Sequence, residues 1–179
     1  MDVQKFASIA DEWVKQVQQV TDWDAQSPCD DWTAAQVLDH AIGWFPQIVG
    51  PAAKETEPIA RAEEFRKILL DTLGDKEKLA STVHSPVATF DGRTVEDIIL
   101  NNLTFDSVAH IWDITRSQGL ADPTFEEGLL KEGVEKFATG GEDRAKSGKF
   151  DAPVEVSDDA PLLDQLVAAL GRDPHWGEK

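Results

Sequence analysis

The chain has one cysteine, Cys29, so no internal disulfide is open to it, and a reducing cytoplasm is the expected setting. No apolar run approaches the roughly 18 residues of a membrane span. The acidic, tryptophan-bearing N-terminus lacks the pattern of a signal peptide. Basic residues are scarce: 17 Lys and Arg against 34 Asp and Glu, so 17 − 34 = −17. Such a balance repels phosphate backbones and anionic lipid, and neither nucleic acid nor membrane is an expected partner. The acids are scattered, as in Asp30-Asp31, Glu63-Glu64 and Asp158-Asp159, which favours solubility and points to no activity. There is no glycine-rich phosphate loop, no serine in a nucleophile-elbow context, no internal repeat and no sustained strand alternation.

What remains is helix. Val3, Phe6, Ala10, Trp13, Val14 and Val17 recur at helical spacing. "DWDAQSPCDDW" is a polar loop, and the next helix has a marked start: Thr33 as cap, Gln36 at the capping-box position, Trp32 able to staple onto Val37. That helix carries Val37, Ala41, Trp44 and Ile48 on one stripe with His40 at its edge, and Pro46 should loosen its later part. "PIARAEEFRKILLDTL" makes a third helix with Pro58 in its first turn and Gly74 past its end; a shorter piece, "DKEKLASTV", comes next. Thr94 caps a fourth helix that runs to Gly119. Beyond it, "DPTFEEGLLKEGVEKFA" predicts a helix, "TGGEDRAKSGKF" a flexible link, "DAPVEVSDD" an extended piece and "APLLDQLVAAL" a last helix closed by Gly171. The length suits one domain with a real core. The reading is all-α: a four-helix bundle over residues 1–120, with a C-terminal helical and loop extension over 121–179 packed on it in the same domain.

The fourth helix carries a polar column where apolar packing is expected. On a wheel of about 100° per residue, Asn102, Asp106, His110 and Asp113 share the arc of Val95, Ile98, Ile99, Leu103 and Ile114. Asp106 and His110, at i and i+4, meet on one face. A buried carboxylate without a partner costs several kcal/mol, so either the two satisfy each other or a cation lies between them. Both possibilities stand at this point. If a divalent metal is the cation, His40 is the nearest outside candidate, and His40, Asp106 and His110 make a three-ligand site with an open position, oriented by Asn102 or Asp113. Trp44, His84 and Trp112 are candidate pocket-lining residues. Cys29 reads as a small buried hydrophobe and Arg116 as a helix-end charge.

"SPCDDWTAAQVLDHAIG" together with "FDSVAHIWDITRSQGL" resembles the DinB-like superfamily, and within it the actinobacterial group that includes mycothiol-dependent maleylpyruvate isomerase. The correspondence lies in Pro28-Cys29, Trp32-Thr33, His40 with Gly43, and Asp106, His110 and Asp113; "LGRDPHW" resembles the closing motif of short members. The resemblance implies a metal-binding four-helix bundle with His40, Asp106 and His110 as ligands. It also implies thiol-dependent S-transferase or isomerase chemistry on a small electrophile, with mycothiol as the thiol. Zinc is the first expectation for the divalent metal, nickel or iron the others. The isomerase has Glu where this chain has Asp106, one methylene shorter, which bears on metal identity rather than ligand type. The chain is too short for the isomerase's separate C-terminal domain, so the resemblance does not carry over the isomerase's substrate. The competing class is a non-catalytic bundle, metal-free or with a structural metal, acting as an interaction or oligomerisation module; a homodimer is also left open.

Overall fold

The computed structural model describes residues 6–29, 32–49, 54–146 and 151–178. Four helices pack around a shared core: α1 (Phe6–Val17), α2 (Ala34–Val49), α3 (Pro58–Leu73) and α6 (Thr104–Ser117). α1 lies against α3 and α6, and α2 against the same two, which closes the bundle. Short α4 (Lys76–Ala80) and α5 (Val95–Ile98) lead from α3 into α6. α7 (Glu127–Phe137), α8 (Gly141–Ala145) and α9 (Leu162–Ala169) form the extension. The fold is all-α, with no strand among the described residues.

The apolar stripes behave as their spacing requires. α1 buries Phe6, Ile9, Ala10, Trp13 and Val17; Val3 lies outside the described residues. The capping box at the head of α2 forms in both directions: the Thr33 amide donates to Gln36 Oε1 at 2.9 Å, and the Gln36 amide to Thr33 Oγ1 at 3.4 Å. Thr94 Oγ1 accepts from the Asp97 amide at 3.2 Å and starts α5. α2 continues through the buried Pro46 to Val49. The stretch expected to be a flexible link contains α8, with residues 147–150 of it outside the described set.

One departure bears on the site. The expected uninterrupted fourth helix is broken by a π turn at Ile99–Leu103 between α5 and α6. The Thr104 amide reaches back to the Ile99 carbonyl, and Thr104 Oγ1 donates to the same oxygen at 2.7 Å. One extra residue in a turn shifts the helical register of α6 relative to α5. The extension joins the same hydrophobic core through Leu129, Leu163, Leu166 and Val167. Gly133 of α7 sits so close that a Cβ there would lie 2.8 Å from Phe105 Cε1 and 2.9 Å from Leu166 Cδ2.

Candidate metal centre

α2 and α6 pack side by side, and each brings its polar edge to the same place. His40, Asp106 and His110 offer ligand atoms that all lie within 4.8 Å of one another. Burial deepens across the three, from exposed His40 through half-buried Asp106 to buried His110. The cluster is therefore a recess with its mouth at His40.

Two of the three side chains, His110 and Asp106, are each held by a neighbour that leaves one ligand atom facing inward. His110 Nδ1 lies 2.9 Å from Asp113 Oδ2. Ionised carboxylates only accept, so Nδ1 carries the hydrogen, and in the neutral ring Nε2 then keeps a lone pair directed at the cluster. Asp106 Oδ2 accepts from Trp44 Nε1 at 3.1 Å, which leaves Oδ1 for the recess. His110 Nε2 and Asp106 Oδ1 stand 3.6 Å apart, too far for a hydrogen bond. The buried Asp106–His110 hydrogen-bonded pair is therefore not the arrangement present. Two ligand atoms of a tetrahedral zinc site, with bonds near 2.0–2.1 Å, stand about 3.4 Å apart, close to the separation seen.

Aromatic rings wall the recess. Trp32 lies with its ring centroid 4.8 Å from that of His40 and 6.1 Å from that of His110, and the two imidazoles meet edge to face at 5.1 Å. Trp32, read from the sequence as a helix staple, thus roofs the site. It is placed there by the loop before α2, where Ser27 Oγ donates to the Trp32 carbonyl at 2.8 Å. Although His40 has exposed area, these atoms strip water from its ring. That burial lowers its pKa below the usual imidazole value, His110 and Arg172 add to the effect, and Asp106 opposes it. A neutral imidazole is the form that ligates a metal.

Asp113 is wholly buried. Burial is the strongest influence on it and favours the neutral acid, yet the Arg172 guanidinium and the His110 hydrogen bond together outweigh that and hold its carboxyl below the ordinary range. Asn102, the other expected orienter, sits in the π turn, and among the described residues no hydrogen bond joins it to His40, Asp106 or His110. Wheel alignment of Asn102 with Asp106 assumed an unbroken 3.6-residue period, which the π turn does not keep. Trp112 is fully buried in the core beneath Arg116, whose guanidinium lies 5.4 Å from its ring centroid, and it is not among the residues of the cavity described next. Trp44 and His84 do line one: a cavity of about 210 Å³ whose wall also includes Ile48, Val83, Val87 and Phe90. The Trp44 and Phe90 rings stack there, 5.1 Å between centroids and 2° between planes. Trp44 thus faces the cavity while its indole N–H holds Asp106.

One participant, Arg172, was missed by sequence reasoning, and another, Cys29, was read only as a small buried hydrophobe. Arg172 reaches Asp113 from the C-terminal turn, and Cys29 Sγ lies 3.9 Å from Arg172 Nη2. The only trace of the first was its place in "LGRDPHW". His175 lies away from this cluster, exposed and paired with Glu178 at 3.1 Å.

Known proteins bear on this geometry. The chain is 24% identical over 152 residues to two uncharacterized proteins of Mycobacterium tuberculosis strains, MT0763 and Rv0738, covering 82% of this chain and 82% of each relative. No solved structure matches. Among the described residues no helix is long and apolar enough to cross a membrane. Residues 6–80, which hold α1 to α4 and the ligand candidate His40, match the family described as the mycothiol maleylpyruvate isomerase N-terminal domain.

Proposed function

We propose that the protein is a divalent-metal-dependent thiol S-transferase or thiol-assisted isomerase, with mycothiol as the thiol and zinc as the first choice of metal. The observation that carries this reading is the unspent donor set: His110 Nε2 and Asp106 Oδ1 face each other at 3.6 Å without bonding, with His40 beside them. Two imidazoles and a carboxylate suit zinc, and also nickel or iron. Three protein ligands at a recess with an exposed edge leave room for a further one from solution, as catalytic rather than structural sites do. A divalent ion in such a position lowers the pKa of a coordinating thiol and so supplies thiolate near neutral pH.

The chain's own residues do the rest. His40, Asp106 and His110 hold the ion; Asp113 and Trp44 fix the orientation of two of those ligands. Trp32 covers the imidazoles and limits access of bulk water from that side. The cavity walled by Trp44, Phe90 and Val87 takes the apolar part of a small electrophile, against the indole that holds Asp106. The link to mycothiol comes from the family matched by residues 6–80.

The test is metal content. Reconstituted protein should hold one divalent ion per chain by inductively coupled plasma mass spectrometry, and His110→Ala should lose it. Metal-loaded protein should then consume mycothiol in the presence of a small electrophile. An unchanged metal stoichiometry in His110→Ala ends the proposal.

A further inference from the structure

The turn after α9 brings an arginine to the back of the site. α9 ends in a Schellman turn: the Gly171 amide donates to the Ala168 carbonyl at 3.0 Å and the Arg172 amide to the Val167 carbonyl at 2.9 Å. Gly171 has φ +88°, and a Cβ there would lie 2.8 Å from the Asp151 carbonyl oxygen, so the position takes glycine alone. Beyond that turn the Arg172 side chain runs inward to α6 and is only 8% exposed. Its Nη2 donates to Asp113 Oδ2 at 3.1 Å, its Nε lies 3.4 Å from Asp113 Oδ1, and its Nη1 donates to the Leu170 carbonyl at 3.0 Å.

The fork grips both carboxylate oxygens, which fixes the carboxylate's plane as well as its place. Asp113 Oδ2 is also the oxygen that receives His110 Nδ1 at 2.9 Å. We propose that Arg172 is a positioning residue: by pinning the Asp113 carboxylate it holds His110 as the Nδ1–H tautomer, with Nε2 presented toward His40 and Asp106. A lysine could supply the charge there, but as a single point it could not set the plane. The bundle's histidine is thus oriented by a residue 62 positions further along the chain (172 − 110 = 62), from the extension that the family match over 6–80 does not reach.

The tautomer claim needs no metal. Its consequence for metal affinity rests on the function proposed above, and the experiment separates the two. Full-length metal-free protein labelled with ¹⁵N in histidine is measured by long-range ¹H–¹⁵N correlation at pH 7.5, with His110→Ala identifying the His110 signals. Wild type should show His110 protonated on Nδ1 alone. Arg172→Met should shift His110 toward the Nε2–H form or a mixture, and Arg172→Lys should fall between. Circular dichroism establishes that each variant is folded; should Arg172→Met fail to fold, Arg172→Lys carries the test. A folded Arg172 variant with the wild-type tautomer overturns the inference, since a purely structural ion pair would change stability and leave the tautomer alone. In parallel, zinc affinity by competition with a fluorescent chelator should fall about 10- to 100-fold in Arg172→Met. If wild type binds no zinc but the tautomer moves as expected, the positioning role stands and the metal reading falls.

Discussion

Trp44→Phe isolates one hydrogen bond at the recess. The indole N–H donates to Asp106 Oδ2 at 3.1 Å, while the ring stacks on Phe90 and walls the cavity. Phenylalanine keeps an aromatic face against Phe90 while removing the donor and part of the indole's area. A hydrogen bond to a charged group contributes about 1.5–3 kcal/mol. The Asp106 side chain is 26% exposed, so water replaces part of the loss and the lower end applies, about 1.5 kcal/mol. Without the indole the carboxylate can rotate, and the ligand atom Oδ1 is no longer held toward His110. At about 1.4 kcal/mol per tenfold, zinc affinity should fall roughly tenfold, read by chelator competition at pH 7.5. Thermal stability should drop by only a few degrees, because the stack survives. Affinity unchanged within about twofold, with the stack intact, would show that Asp106 is not held for ligation and would refute the reasoning.

The same geometry gives three more expected outcomes. His40 has a lowered pKa, so the folded chain takes up a proton there less readily than a free imidazole would. Protonation of His40 competes with metal only below the ordinary imidazole value, so a decline in zinc affinity already under way at pH 8 would contradict this. Gly133→Ala would place a Cβ 2.8 Å from Phe105 Cε1 and should destabilise the fold by about 1–3 kcal/mol, seen as a lower melting temperature; an unchanged melt would mean that α7 does not pack as described. Thr94→Ala removes the cap that accepts from the Asp97 amide and should cost about 1 kcal/mol in denaturant unfolding, with the midpoint falling and the slope unchanged.

Helix positions were legible because burial of a stripe leaves its period in the residues: Phe6, Ala10, Trp13 and Val17 are spaced as they pack. The capping box of Thr33 and Gln36 was legible because capping is a short-range event between fixed offsets. The Asp113–His110 contact was readable for the same reason, being three residues apart on one helix. The π turn was not, since no residue type demands it, and the wheel alignment of Asn102 did not allow for it. Trp32 over the imidazoles and Arg172 against Asp113 depend on where a loop and a distant turn come to rest, and no periodicity carries such information. Trp112, an aromatic near the motif offered as lining, has its ring buried in the core beneath Arg116.

The buried Asp113–Arg172 pair poses an energetic question that the bundle alone does not answer. Removing two charges from water is expensive, and well-packed apolar residues of the same volume often stabilise a core as well or better. The extension already has apolar anchors in Leu163, Leu166 and Val167, so it needs no ion pair to stay attached. What apolar residues could not do is accept the hydrogen on His110 Nδ1, and an aspartate without a cation beside it would tend to protonate and itself become a donor. Arginine keeps the carboxylate an acceptor, the acceptor sets the tautomer, and the tautomer leaves a lone pair at the recess. That lone pair is what the ligand role proposed for His110 requires, and apolar packing in place of the Asp113–Arg172 pair would not provide it.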